Sequence, residues 1–264
     1  MPRIKDKIIW ITGASSGIGE ALAYAFNAMG NKVIISARNE DKLQTVADNC
    51  PYPEMVKCLR LDLMEVDQME ERVQQAMGLF GSIDMLINNA GISQRSLIVD
   101  TKMSVYKQLM DVNYLGTVAL SKALLPFFIK RQSGHYVTVT SLMGKFGSPL
   151  RSGYCGAKHA LHGFFDVMRM EHEKDGVNVT LVCPGFVQTD IARNALTADG
   201  SAQDSQDKAT ASGLTTKVFA QRLVRAVQKN KHEAYIGKGE VRGVYLKRFF
   251  PRLLHRVVIK SQVV

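Results

Sequence analysis

The chain has 264 residues, 46% of them hydrophobic, and carries a net charge of +10 with a pI near 9.5. Length and apolar content fit one α/β domain over residues 1–264 better than two small domains, and the charge favours anionic partners. Cys50, Cys58, Cys155 and Cys183 form no CxxC pair and no ligand spacing with histidine. That excludes a disulfide framework and a zinc site, so no metal is expected and the thiols read as reduced, in the cytoplasm. The apolar run at the N-terminus is too short for a signal segment, and no uninterrupted run reaches the length of a membrane span.

Taken in order, apolar runs alternate with amphipathic stretches. "KIIWIT" (7–12) reads as a buried strand, followed by a helix over 16–29. "KVIISA" is the second strand, with a polar helix from about Asn39. "VKCLRLD" is the third strand, before a helix over 66–80, and "IDMLINN" is the fourth. A long helix is predicted over 104–130, then the strand "HYVTVTS", a helix over 153–174 and the strand "VNVTLVCPG". Strands and helices in alternation, joined by short connections, predict a doubly wound parallel sheet of the Rossmann type. Residues 190–214 are polar and small, and read as a mobile substrate loop after a strand end. Residues 239–264 are basic and apolar together. From Lys238 to Lys260 there are seven Lys/Arg and one acid, Glu240.

"TGASSGIG" (12–19) follows the first strand and opens the first helix. Its glycines allow a tight turn and close approach of a ligand to the backbone. The helix N-terminus behind them offers free N–H groups and a positive dipole to a pyrophosphate. The expected contacts are Gly13, Ser15, Ser16, Gly17, Ile18 and Gly19. No Gly-Lys-Ser/Thr closes the loop, so it is not an NTPase phosphate loop. After the second strand, where an NAD site wants an acid, stand Ala37, Arg38 and Asn39. A guanidinium there matches a 2′-phosphate, which favours NADP(H) with NAD(H) as the alternative.

The chain resembles the short-chain dehydrogenase/reductases. The resemblance rests on "TGASSGIG", "LDL" (61–63), "NNAG" (88–91), "DVN" (111–113), Ser141, "YCGAK" (154–158) and "PGFVQTD" (184–190), which run in the family's order. Arg38 and the basic tail are most similar to the branch holding hydroxysteroid and retinoid dehydrogenases. The resemblance implies that Asp62 and Leu63 meet the adenine, and that Asn89, Ala90 and Gly91 line the adenine ribose. It implies further that Pro184, Gly185, Val187 and Thr189 meet the nicotinamide side.

Carbonyl reduction needs a proton donor as well as a hydride donor. Tyr154 and Lys158 lie one helical turn apart, hence on one face. A nearby cation is expected to lower the tyrosine's pKa, and Lys158 is also expected to hold the nicotinamide ribose. Ser141 is expected to orient the substrate oxygen, and Asn113 to hold a relay water. His159 and His162 read as packing or surface residues, with no acid partner. Leu142, Met143, Phe146 and Phe186 suggest an apolar carbonyl or alcohol substrate, with Met143 and Phe186 in contact with it. A 3-ketoacyl-thioester reductase, or an NADPH-binding scaffold that docks through the tail, are the alternatives.

In the tail, Tyr245, Phe249, Leu253 and Val257 fall at helical spacing beside Arg248, Arg252 and Arg256, with Pro251 as a kink. Three readings stay open: a packed helix with a solvated basic face, a subunit contact in a homodimer or homotetramer, or an anchor at an anionic membrane. The charge is a local patch without a matching fold, so nucleic acid is not expected.

Overall fold

The structure, a computed structural model, describes residues 4–261. The outermost ends of the expected 1–264 domain and of its 239–264 segment lie outside the described residues. β-Branched runs build the sheet: β1 (Ile8–Thr12), β2 (Lys32–Ala37), β3 (Val56–Arg60), β4 (Met85–Asn88), β5 (Gly134–Val139) and β6 (Val177–Pro184). A seventh strand, β7 (Glu233–Ile236), closes one edge and was not legible in four residues of mixed character. All pairings are parallel, in the order β3-β2-β1-β4-β5-β6-β7.

Alternate side chains of each strand feed two cores. On one face Ile9, Ile11, Val33, Ile35 and Val182 pack on Leu22 and Phe26 of α1 (Gly17–Asn27), with Phe219 and Leu223 of α8 (Thr216–Gln228). On the other face Trp10, Ile34, Leu86 and Tyr136 meet three helices. These are α3 (Met69–Phe80), α5 (Gly116–Arg131) and α6 (Ser152–His172). Burial on both faces explains why the strands read as continuous apolar runs. Trp10 keeps its indole N–H paired inside the core, donating to Ser36 Oγ at 2.8 Å.

The remaining helices are α2 (Glu40–Asp48), α4 (Met103–Met110), α7 (Lys208–Ala211), α9 (Arg242–Phe249) and α10 (Pro251–Lys260). The long helix expected over 104–130 is divided: a π-turn over Asp111–Leu115 separates α4 from α5. This Met103–Arg131 stretch is long and apolar enough to cross a membrane by length and composition. Here Leu109, Leu120, Leu124 and Phe128 are buried against the rest of the fold. The tail helix is likewise divided. Phe250 leaves helical geometry (φ −136°, ψ 60°) and Pro251 starts α10, where its missing N–H costs nothing.

Strand order reverses between β1 and β4. The loops after these two strands therefore diverge and leave a crevice at the C-terminal edge of the sheet, where doubly wound folds bind ligands. The expected site residues collect along that edge.

Candidate active site and cofactor cleft

The turn after β1 is built by its glycines and by Thr12. Gly13 has φ +65°, and a Cβ there would lie 2.7 Å from Ala90 Cα, so the loops after β1 and β4 touch only because position 13 has no side chain. Thr12 Oγ1 accepts from the N–H groups of Asn89 and Ala90, at 3.1 Å each. Asn89 Nδ2 returns bonds to the carbonyls of Thr12 (3.0 Å) and Gly13 (3.2 Å). Asn89 thus holds the crevice closed at its base. Ser16 stands at the N-cap of α1 in extended geometry and makes no side-chain capping bond, leaving the first turn of the helix for a ligand. Thr189, after β6, comes against the same turn, its Cγ2 3.1 Å from where a Gly17 Cβ would stand. A phosphate at this turn would meet backbone N–H groups and a hydroxyl. The donor set fits a dinucleotide.

Arg38 directly follows β2 and is exposed. Among the described residues it has no hydrogen-bond or ion-pair partner. Asn39 is committed instead to capping α2, its Oδ1 accepting from Lys42 N at 2.8 Å. Asp62 Oδ1 accepts from Met64 N at 3.0 Å, which shapes the turn after β3, and Leu63 is buried beside Gly116.

Three separate elements carry the four catalytic candidates. Ser141 lies two residues beyond β5, extended, its Oγ accepting from Met143 N at 3.0 Å. Tyr154 and Lys158 occupy the first turns of α6, both buried, with Lys158 Nζ 5.7 Å from the Tyr154 ring centroid. Lys158 Nζ donates to Val139 O at 3.1 Å. Asn113 lies in the π-turn, where one extra residue per turn re-aims the side chain inward. Its Oδ1 accepts from Ile92 N (2.9 Å) and its Nδ2 donates to Ile92 O (3.0 Å). A Cβ on Gly91 would stand 2.6 Å from Asn113 Oδ1 and 3.4 Å from Lys158 Nζ, so these three residues converge.

One electrostatic expectation is corrected. Burial raises the Tyr154 phenol above its ordinary value, opposed by hydrogen bonding to Ser141 and by the charges of Arg95 and Arg151. Burial also pulls Lys158 down to about 8. Spacing alone suggested that the cation would dominate. Desolvation of both groups outweighs it.

Sequence reasoning missed the residues that hold this arrangement. Gln94, fully buried, accepts through Oε1 from Gly153 N (2.8 Å) and Tyr154 N (3.4 Å). It therefore caps the catalytic helix from a different loop. Arg95 and Arg151 share the buried carboxylate of Asp207, Arg151 at 3.4 Å, which ties the 190–214 loop to the start of α6. Leu196 exchanges main-chain bonds with Ser93 and Arg95. The loop expected to be mobile is thus folded and anchored; its polar composition reflects hydrogen bonds within it. No local sequence pattern marks these pairs, because they are separated by tens of residues.

Two further differences follow from packing. Leu142 and Phe146 turn away from the crevice and cluster with Leu254 of α10. Met143 packs against an apolar group made of Val105, Leu109, Tyr154 and Leu196. Phe186 is half-buried, its N–H donating to Glu240 Oε1 at 3.0 Å, so the single acid of the basic tail holds the Pro184–Gly185–Phe186 turn. Val187 is buried and bridges Leu214. The sequence reading also left His162 without an acid partner and Cys183 without a histidine. The fold brings Cys183 Sγ within 3.7 Å of His162 Nε2 and 3.5 Å of Glu233 Oε1, with His162 Nδ1 3.4 Å from that carboxylate. By geometry the trio could hold a metal ion, but Lys145 Nζ already lies 2.5 Å from Glu233 Oε1 and meets its charge.

A parallel sheet with a glycine turn at its switch point, and a buried tyrosine and lysine beside it, define a dinucleotide-dependent oxidoreductase. The sequence model of the family described as short chain dehydrogenase matches residues 7–200. Dehydrogenase/reductase SDR family member 7B of Xenopus laevis is 38% identical over 97% of this chain and 81% of its own length. Dehydrogenase/reductase SDR family protein 7-like of Drosophila melanogaster is 36% identical over 99% and 82%. A short-chain dehydrogenase from Streptomyces avermitilis has a TM-score of 0.81 at 25% identity, covering 97% of this chain and 98% of that one. A short chain dehydrogenase/reductase from Burkholderia phymatum in complex with NAD has a TM-score of 0.84 at 22% identity over 96% of each chain, a likeness of fold. The chain belongs to the short-chain dehydrogenase/reductase family, and is an oxidoreductase that uses a nicotinamide dinucleotide.

Proposed function

We propose that the chain interconverts an apolar carbonyl and its secondary alcohol, preferring NADP(H), with Tyr154 as the proton donor and acceptor. The carrying observation is the convergence of Tyr154, Ser141 and Lys158 at the crevice, with Met143 and Leu196 making the surroundings of the phenol apolar. The bound dinucleotide supplies or takes the hydride. Tyr154 keeps its proton at neutral pH, so it stands ready as the acid in reduction. Ser141 orients the carbonyl oxygen toward that hydroxyl. Lys158 holds positive charge beside it and would hold the sugar hydroxyls of a bound dinucleotide. Asn113 fixes the Gly91–Ile92 turn under Lys158, and the second lone pair of its Oδ1 remains for a relay water. The exposed, unpaired Arg38 supports the preference for a 2′-phosphate. Cytoplasmic placement, a homodimer or homotetramer, and a peripheral membrane contact through the tail complete the reading.

The test is a panel of soluble ketones, secondary alcohols and acyl thioesters with NADPH and NADH, run beside Tyr154→Phe. The expected result is NADPH turnover on apolar ketones, at least about 10²-fold lower in the variant with NADPH binding retained. Turnover confined to acyl thioesters would instead make the chain a ketoacyl reductase. Unchanged turnover in Tyr154→Phe would remove the tyrosine from its role.

A further inference from the structure

The C-terminal helices carry a surface that the oxidoreductase reaction does not use. In α9 and α10 the side chains of Leu246, Leu254 and Val258 turn inward onto Leu142, Phe146 and Cys183. Others face outward: Phe249 is 68% exposed, Phe250 62% and Ile259 63%, with Tyr245, Leu253 and Val257 about half exposed. Scattered apolar residues on a surface need no explanation, but six in fifteen consecutive positions make a patch.

Charge identifies what covers it. Lys247, Arg248, Arg252, Arg256 and Lys260 border the apolar row, and no acid occurs between Arg242 and Lys260. Lys247, Arg252, His255 and Arg256 also line, with Pro251, a hollow of about 410 Å³. A second copy of the chain meeting this face about a two-fold axis would set cations against cations, which is repulsive. A polyanion such as nucleic acid would match the charge but leave the aromatic row in water. An anionic bilayer meets both requirements, since phosphate headgroups pair with the cations while Phe249, Phe250 and Leu253 enter the acyl boundary.

We infer that α9 and α10 dock the enzyme on an anionic lipid bilayer, with the cationic hollow receiving a lipid phosphate. The surface is also coupled to the site. Gly243 of α9 sits directly on Phe146, where an added Cβ would lie 2.8 Å from its ring. Met143 packs both with this tail cluster and with the apolar group that contains Tyr154. One turn, 141–146, therefore carries Ser141 on one side and the membrane face on the other. Resting on the apolar-carbonyl reading, this arrangement makes a lipid-dissolved carbonyl the substrate class delivered to Tyr154.

The experiment is sedimentation of the full chain with phosphatidylcholine vesicles, with and without phosphatidylserine. Parallel runs use Phe249→Ser/Phe250→Ser and Arg252→Glu/Arg256→Glu. All four positions are exposed, so circular dichroism and turnover of a soluble carbonyl are expected to match the parent. The parent should pellet with the anionic vesicles, should be released by salt, and each double variant should bind about tenfold or more weakly. A parent that stays in the supernatant, equal pelleting of parent and variants, or equal binding to neutral vesicles would overturn the inference. So would a change in oligomer size in the phenylalanine variant, which would make the face a subunit contact. Vesicle binding requires no turnover, so its failure leaves the catalytic reading intact, and an inactive Tyr154 assignment leaves the binding result standing.

Discussion

Lys158 Nζ and the carbonyl of Val139 are joined by a 3.1 Å hydrogen bond. The bond fastens the catalytic helix to the strand that carries Ser141, two residues further on. It also fixes a cation in a site dry enough to lower its pKa from 10.5 to about 8.

A buried ammonium of this kind opposes folding. Between about pH 8 and the ordinary lysine pKa of about 10.4 the unfolded chain binds more protons than the folded one. Lys158 therefore makes stability rise with pH across that window, and its penalty is full below it. In Lys158→Met the removed penalty, about 3 kcal/mol, outweighs the lost hydrogen bond, about 1 kcal/mol. The variant should melt no lower than the parent at pH 7, lose the alkaline slope, and lose turnover about 10²-fold or more. Thermal melts across pH check this; a clear fall in melting temperature at pH 7 would contradict it.

Gln94 is expected to act as a positioning residue. Gln94→Leu leaves the N–H of Gly153 unpaired in a buried place, costing about 1–3 kcal/mol. It should also lower kcat by about tenfold through loosened placement of Tyr154. Gln94→Glu keeps the acceptor atom and should recover part of kcat. If kcat in Gln94→Leu equals the parent's, the helix holds Tyr154 without this cap.

Asp207 holds two buried guanidiniums. Burial alone would raise its pKa, but hydrogen bonding and charge from Arg95, then the charge of Arg151, hold it below the usual carboxylate range. Its contribution to stability is present above about pH 4 and is lost as pH falls through the lower folded value. Asp207→Asn should cost roughly 3–5 kcal/mol, because both buried cations lose the charge of the carboxylate they share. Denaturant titration at pH 7 measures this, and a loss under about 1 kcal/mol would show that solvent reaches the pair.

Arg38→Asp is expected to weaken NADPH by roughly 10- to 100-fold, the loss of about 1.5–3 kcal/mol for a charged hydrogen bond, and to leave NADH binding unchanged or tighter. Titration of both cofactors against parent and variant decides. Equal weakening of the two would mean that Arg38 does not meet the 2′-phosphate.

The sheet was legible because a strand buried on both faces must be continuously apolar, and "KIIWIT", "KVIISA" and "VNVTLVCPG" are. Tyr154 and Lys158 were legible because a helix places residues four apart on one face. The division of the 103–131 helix was not legible, since a π-turn needs no special residue and appears only once Asn113 finds Ile92. The seventh strand was hidden for a different reason: four residues at a sheet edge carry too little pattern to read.

The sequence by itself determined the parallel α/β architecture, the glycine turn and the catalytic residue types, because these depend on local periodicity and on side-chain chemistry. Tertiary structure alone decided that Gln94 caps the helix of Tyr154, and that Asp207 pins the loop to Arg95 and Arg151. It also decided that Glu240 holds the turn at Phe186, and that burial moves the pKa values of Tyr154 and Lys158 away from each other. Those features depend on which distant residues meet and how much water they exclude, and no spacing along the chain encodes either.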